Sequence, residues 1–199
     1  MNWWWRSWPA PSSLRRGHHI YASFSLLSGS SCRQSAQGSL AWMKHHGIVM
    51  RGCFCGQTEC SLECISQIRV LHLNADGMSI VPLFDLTGCP GSGFTARGNR
   101  VRIAEYPSNI RFKFDVVVWR ALVALWQHLQ NAKAGRPPCV AYSLWQRNCE
   151  NFACWCSTGW WMSDQVITLS CPLQVHACRA QITNVFAMCL QTPPFSLKQ

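Results

Sequence analysis

The sequence predicts a single α+β domain in which a small antiparallel sheet packs against helices. Short segments rich in β-branched and aliphatic residues fill much of the first half of the chain, and segments with helical spacing follow in the second half. At 199 residues the chain suits one hydrophobic core and is short for two full domains. Hydrophobic residues make up 48% of it and charged residues 13%, which is the balance of a globular protein rather than a disordered one.

Four segments have the composition of strands. Residues 44–50 and 68–73 are rich in aliphatic and β-branched side chains. The turn residues 74–77 follow the second of them, and 78–83 continues as a further strand. Residues 99–106 alternate apolar and polar side chains, as a half-buried strand does. Together they predict the sheet.

A long helix is predicted to begin near Asp115, which can serve as its N-cap. It should stop before the Gly-Arg-Pro-Pro segment at 135–138. The apolar residues that recur at helical spacing, and are expected to face the core, are Val118, Leu122, Leu125 and Leu129.

A second, shorter helix is predicted from Cys149 to about Thr158. Asn148 in front of it has the side chain of an N-cap, and Gly159 behind it suits a C-terminal cap. This prediction places a cysteine in the first turn, where unpaired N–H groups and the helix dipole stabilise a thiolate.

The charge balance leaves several partners open. Eighteen basic and eight acidic residues give a formal charge of +10, and the first acidic residue is Glu59. This is compatible with anionic phospholipid, with nucleic acid, or with an organelle-targeting leader. The chain has no zinc-finger spacing, basic run or RNA-stacking motif, so no nucleic-acid partner is expected. Residues 1–13, which contain four tryptophans, predict a flexible leader that is either unstructured or anchored at a membrane interface.

The cysteines and the apolar stretches indicate the cellular setting of the protein. Thirteen cysteines are an odd number, and no secretory leader precedes them, which favours a reduced intracellular setting, cytoplasmic or peripheral to a membrane. The longest apolar stretch, 116–126, is interrupted by Arg120 and is shorter than the roughly 20 residues of a transmembrane helix. No membrane span is therefore expected.

A cysteine nucleophile needs a base, and histidine is the usual one. His45, His46 and His72 are the candidates, since they lie on predicted strands. If the two strands pair, one histidine of the doublet can face His72, so that the second imidazole orients the first. On spacing alone, scattered cysteine and histidine residues usually carry no chemistry.

Several motifs appear along the chain in a fixed order. They are LRRGHHIY at 14–21, HHGI at 45–48, VLHL at 70–73, RVRIAEYP at 100–107, RAL at 120–122, NCENFA at 148–153 and WCSTG at 155–159. In this order they resemble the motifs of the lecithin:retinol acyltransferase-like proteins, called NC-domain proteins in plants. The resemblance covers residues 14–166, which leaves 167–199 as a C-terminal extension.

The resemblance implies a circularly permuted papain-like fold related to the NlpC-type peptidases. It also implies that Cys149 is the nucleophile, His45 the general base and His72 the residue that orients it. His45 is preferred to His46 because family members with one histidine align to the first of the doublet. The implied reaction forms an acyl-enzyme on Cys149 from a phospholipid or another acyl ester, with no cofactor.

The chain departs from the family pattern at two places. Residues 51–67 form an insertion that holds Cys53, Cys55, Cys60 and Cys64. Their spacing matches no standard zinc finger, so reduced loop cysteines are favoured over a zinc site. Asn151 stands where the family has His or Asp. Two alternatives to the acyltransferase or acyl hydrolase stay open: an inactive interaction or lipid-binding module, and a cysteine peptidase or amidase.

Overall fold

A computed structural model describes residues 13–23, 44–53, 62–86, 101–143 and 145–166. Within them, five strands form one sheet: β1 (His19–Ser23), β2 (Lys44–Arg51), β3 (Arg69–Asn74), β4 (Gly77–Pro82) and β5 (Arg102–Ile103). The helices are α1 (Leu62–Ser66), α2 (Leu83–Leu86), α3 (Phe114–Lys133) and α4 (Cys149–Thr158). The predicted α+β class with a small antiparallel sheet is confirmed.

The order of the strands across the sheet is β4-β3-β2-β1-β5, and every neighbouring pair is antiparallel. β3 and β4 form a hairpin in which the Asn74 side chain accepts a hydrogen bond from the Asp76 N–H at 2.9 Å. Gly77 completes the turn at φ +113°, a conformation that glycine adopts without a Cβ penalty. The predicted turn is confirmed.

The paired part of β2 and β3 is shorter than either strand. Their pairing runs from Ile48 opposite Leu71 to Arg51 opposite Arg69. The first residues of β2, from Lys44 to Gly47, pair with β1 on the other side. At its start, β2 is therefore paired with β1 along one edge, while the ladder with β3 along the other edge begins only at Ile48.

Each face of the sheet packs against a different pair of helices. Ile48 and Leu71 belong to a buried cluster that includes residues of α3 and α4. Val49 and Val70, which point to the opposite face, belong to a second cluster with residues of α1 and α2. The face that each β2 side chain occupies therefore decides which helices it can meet.

α3 begins two residues earlier than an N-cap at Asp115 would place it, because Phe114 already has helical geometry and Lys113 is the flanking residue. Asp115 is not the N-cap, and the prediction was wrong on this point. Asp115 instead lies inside the first turn, where its negative charge interacts favourably with the positive end of the helix dipole. The helix ends at Lys133, which agrees with the prediction that it stops before residues 135–138.

The buried side of α3 also differs from the prediction. Its buried residues are Val117, Val118, Ala121 and Ala124. Of the predicted core residues, Val118 is buried and Leu125 is partly buried, but Leu122 and Leu129 are exposed. Small alanines allow the helix to approach α4 and the sheet closely, so the larger leucines point outward.

The structure confirms α4 and both of its caps. The Asn148 side chain accepts a hydrogen bond from the Asn151 N–H at 2.9 Å, and the Asn151 side chain accepts one from the Asn148 N–H at 3.1 Å. This reciprocal pair is a capping box. Gly159 ends the helix at φ +86°. Asn151 thus supplies the second half of the box.

One predicted strand is shifted by one residue, and another is shorter than expected. β4 ends at Pro82, and Leu83 instead opens α2, where its N–H donates to the Ile68 carbonyl at 3.1 Å and its side chain is buried. The strand predicted at 99–106 is reduced to Arg102–Ile103, with residues 99 and 100 outside the described ranges. The prediction was too long because the chain leaves the ladder soon after Ile103.

The predicted leader, except for Ser13, and the C-terminal extension at 167–199 lie outside the described residues. The same holds for 54–61 within the predicted insertion, whose later part forms α1. In the part of the chain that the structure describes, no helix combines the length and the apolar character that a bilayer crossing requires.

Candidate active site

Cys149 occupies the first turn of α4, as predicted, and is buried there. Its sulfur lies 3.8 Å from the carbonyl oxygen of Lys44, the first residue of β2. The backbone N–H groups of His46 and Glu150 also act on this sulfur, and both lower the pKa of the thiol. The sulfur therefore rests against the backbone on either side of His45.

The geometry of β2 shows which edge of the strand the sulfur meets. The N–H and C=O of Val49 both bond to the chain on the β1 side, at His18 and Gly17. Because peptide groups alternate along a strand, those of Lys44 and His46 point the other way, toward β3. The sulfur of Cys149 thus sits where β2 extends beyond its ladder with β3.

The rings of His45 and His72 contact each other near the point where the β2–β3 ladder ends. His45 Nε2 is 2.6 Å from His72 Nδ1, and His72 Nε2 is 3.0 Å from the Ser79 hydroxyl. One histidine of the doublet therefore does face His72, and it is His45. The structure brings together two of the three predicted residues in direct contact and places the third, Cys149, beside the backbone of His45.

Burial sets the resting protonation of these groups. The pKa of the Cys149 thiol is raised to about 12 by burial and by the charge of Glu150, against the lowering effect of nearby backbone N–H groups. Burial, with His72 as a secondary cause, lowers the pKa of His45 to about 4. Burial also lowers the pKa of His72, against the raising effect of Asp85. Burial therefore favours the uncharged form of all three groups.

Burial therefore opposes the thiolate that the start of the helix favours. A helix N-terminus stabilises a charge by about 0.3–1 kcal/mol, and by about 2 kcal/mol in favourable buried geometry. Removing the thiolate of Cys149 from water costs more, because the rise in its pKa from 9.0 to about 12 corresponds to about 4 kcal/mol. A base must remove the proton from Cys149 when the site reacts.

A hydrogen-bonded clamp that the sequence did not reveal holds α4 against β2. The Gln165 side chain accepts a hydrogen bond from the Lys44 N–H at 2.7 Å and donates one to the Lys44 carbonyl at 3.2 Å. It also donates to the buried carboxylate of Glu150 at 3.2 Å, to which Ser163 donates at 2.5 Å. Gln165 thus fixes the Lys44 carbonyl that the Cys149 sulfur contacts.

His46 points to the other face of the sheet, next to α4. Its Nδ1 is 2.9 Å from His19 Nε2, and His19 Nδ1 is 2.5 Å from the Tyr106 hydroxyl. His46 Nε2 is 4.0 Å from a Glu150 oxygen and has no hydrogen-bond partner among the described residues. Burial lowers the pKa of His19 and of His46 well below the usual value. This neutral, buried network connects β1 and β2 to the residue that follows Cys149.

Tyr142 is a second residue that sequence reasoning missed. It is partly buried, and burial followed by the charge of the nearby Cys149 raises the pKa of its hydroxyl to about 12. It lies seven positions before the cysteine in a segment of turns, so no periodic signal indicates it.

Two cysteines of the predicted insertion lie together on the far side of β2. The sulfurs of Cys53 and Cys64 are 3.2 Å apart, while Cys55 and Cys60 lie outside the described residues. Within the described ranges, no group of three or more His, Cys, Asp or Glu side chains is arranged to hold a metal ion.

Comparison of the chain with protein-family models, with curated proteins and with solved structures finds no match in any of the three.

Proposed function

We propose that the protein is a thiol-dependent acyltransferase or acyl hydrolase that works through an acyl-enzyme on Cys149. The observation that carries the proposal is that the sulfur of Cys149 lies against the β2 backbone on either side of His45, whose ring bonds to His72 at 2.6 Å. The ordered motifs from residue 14 to residue 166 support it. A permuted papain-like arrangement of the fold is part of the same proposal.

The resting protonation states define the first step. His45, neutral because its pKa is about 4, takes the proton of the Cys149 thiol as the sulfur attacks an ester or thioester carbonyl. N–H groups at the start of α4 stabilise the resulting oxyanion. The tetrahedral species collapses, the leaving alcohol or thiol takes the proton from His45, and a thioester remains on Cys149. His72, held by Ser79, orients the His45 ring.

The second half of the reaction restores the thiol. Water, an alcohol or an amine gives a proton to His45 and attacks the thioester carbonyl, and the Cys149 sulfur leaves and regains its proton. Hydrolysis and transfer therefore differ only in the acceptor. The acyl donor is proposed to be a phospholipid or another acyl ester.

Trapping the intermediate tests this proposal. The protein is incubated with a mixed lipid extract and with an activated fatty acyl ester, and its intact mass is followed. The expected result is a gain of one fatty acyl group that disappears in Cys149→Ala and persists in Cys154→Ala, which removes another buried thiol of the same helix. Labelling that survives in Cys149→Ala, or a wild type that is never acylated, would contradict the proposal.

The histidine doublet supplies a second, internal control. His45→Gln should lose acylation, and His46→Gln should keep it in those preparations whose far-UV circular dichroism matches the wild type. The reason is that the His45 ring bonds to His72, whereas the His46 ring bonds to His19 on the other face. The reverse pattern would assign the base to His46.

A second candidate function is a non-catalytic module with the same fold. The observation that favours it is the sulfur of Cys149, which is buried and contacts a backbone carbonyl. A wild type that is never acylated but co-purifies with zinc would support this candidate, since the insertion holds four cysteines.

A further inference from the structure

The outward face of α3 carries a continuous apolar stripe. Its members, with their exposed fractions, are Val116 (39%), Trp119 (54%), Leu122 (41%), Trp126 (60%) and Leu129 (53%). Steps of three and four residues keep these side chains on one side of the helix. At 1.5 Å per residue the stripe is about 20 Å long. We call these five residues the α3 stripe.

The α3 stripe is not the surface that folds the domain. The opposite side of the helix, formed by Val117, Val118, Ala121 and Ala124, is buried against the sheet and α4. Among the described residues, neither core cluster includes a member of the stripe. Contiguous apolar patches of this kind on a protein surface mark an interaction site, because they gain free energy only when a partner covers them.

The charges around the stripe indicate the nature of that partner. Between residues 111 and 147 the chain has six basic residues and one acidic residue, Asp115. Arg111 and Lys113 are exposed before the helix, and Lys133 and Arg136 are exposed at its end. An apolar face with cations at both ends is complementary to an anionic surface with an apolar interior.

We propose that the α3 stripe docks the protein onto an anionic phospholipid surface. Tryptophan suits the headgroup level of a bilayer because its ring is apolar and its N–H can remain hydrated, and two tryptophans stand at the centre of the stripe. Leucine and valine on the same face reach the acyl region, while the terminal lysine and arginine side chains meet lipid phosphates. The proposal is independent of the chemistry at Cys149.

Vesicle co-sedimentation of the full chain tests the docking. Wild type should bind phosphatidylcholine vesicles that contain phosphatidylserine, and binding should weaken with added salt or without phosphatidylserine. Trp119→Gln/Trp126→Gln should reduce the partition coefficient by about tenfold or more. The matched control is Trp145→Gln, which removes a tryptophan that is 55% exposed but lies outside α3 and should leave binding unchanged.

Further measurements separate this proposal from its rivals. Both stripe positions are exposed, so the double variant should keep the circular dichroism and thermal unfolding of the wild type. Cys149→Ala should bind vesicles like the wild type, whatever its acylation shows. Equal binding by the double variant would overturn the proposal. It would also be overturned if the wild type failed to bind vesicles, and a dimer that the double variant abolished would then assign the stripe to a second copy of the chain.

Discussion

Raising the pH should make Cys149 reactive toward alkylating reagents only far above neutrality. Burial raises the pKa of its thiol from 9.0 to about 12, so at any pH below 9 the thiolate fraction is about a thousandfold smaller than that of an exposed cysteine. The N–H groups of His46 and Glu150 oppose this effect but do not cancel it. Limited access also slows alkylation of the buried sulfur, but this factor does not change with pH while the fold is intact.

The assay is alkylation by iodoacetamide at a series of pH values, read by fragment mass spectrometry on the tryptic peptide that begins at Asn148. The rate at Cys149 should rise about tenfold per pH unit throughout the stable range without reaching a plateau. Protein unfolded in urea is the control, and there the same residue should titrate near its ordinary value of 9.0.

A plateau in the folded protein at or below neutral pH would refute the reasoning. It would mean that the N–H groups and the helix dipole outweigh burial, and that the resting site is a thiolate. His45→Gln separates the two cases further. If the resting thiol is protonated, this substitution should leave the dependence of the alkylation rate on pH nearly unchanged. If the resting state is a thiolate stabilised by a His45 imidazolium, the substitution should shift the plateau in the rate to higher pH.

Asn148→Ala removes the N-cap of α4 and should lower the free energy of unfolding by about 1–2 kcal/mol in urea titrations, while Gln130→Ala on the exposed side of α3 should change it by less than about 0.5 kcal/mol. Acid should destabilise the fold, because the pKa of His45 is lowered from 6.5 to about 4 on folding. The contribution of neutral His45 to the free energy of unfolding is therefore present above pH 6.5 and is lost as the pH falls from 6.5 toward 4. His45→Gln should therefore flatten the stability profile in this window by up to about 1.4 kcal/mol per pH unit, and a wild type equally stable at both limits would contradict this. Hydrogen peroxide should join Cys53 to Cys64 in a disulfide with loss of two hydrogens, seen as a cross-linked peptide pair, because their sulfurs already lie 3.2 Å apart; a product without this pair would show that the contact does not close.

Local chemistry accounts for the parts of the fold that the sequence predicted well. Asn148 and Gly159 bound α4 as expected, since a capping side chain and a left-handed glycine act on neighbouring residues only. The turn before Gly77 follows from the same kind of local contact. The errors arose where distant residues decide, as at Leu83, which the second core cluster draws into α2.

The amino-acid sequence by itself determined that a cysteine stands at a helix start and that three histidines lie on strands of a small antiparallel sheet. Only the tertiary structure decided that His45 faces His72 while His46 turns toward His19. It also decided that Leu122 and Leu129 of α3 are exposed and that burial raises the pKa of the Cys149 thiol. The physical reason is range: caps and turns depend on a few adjacent residues, whereas strand register, burial and the resulting pKa values depend on groups that are far apart in the chain.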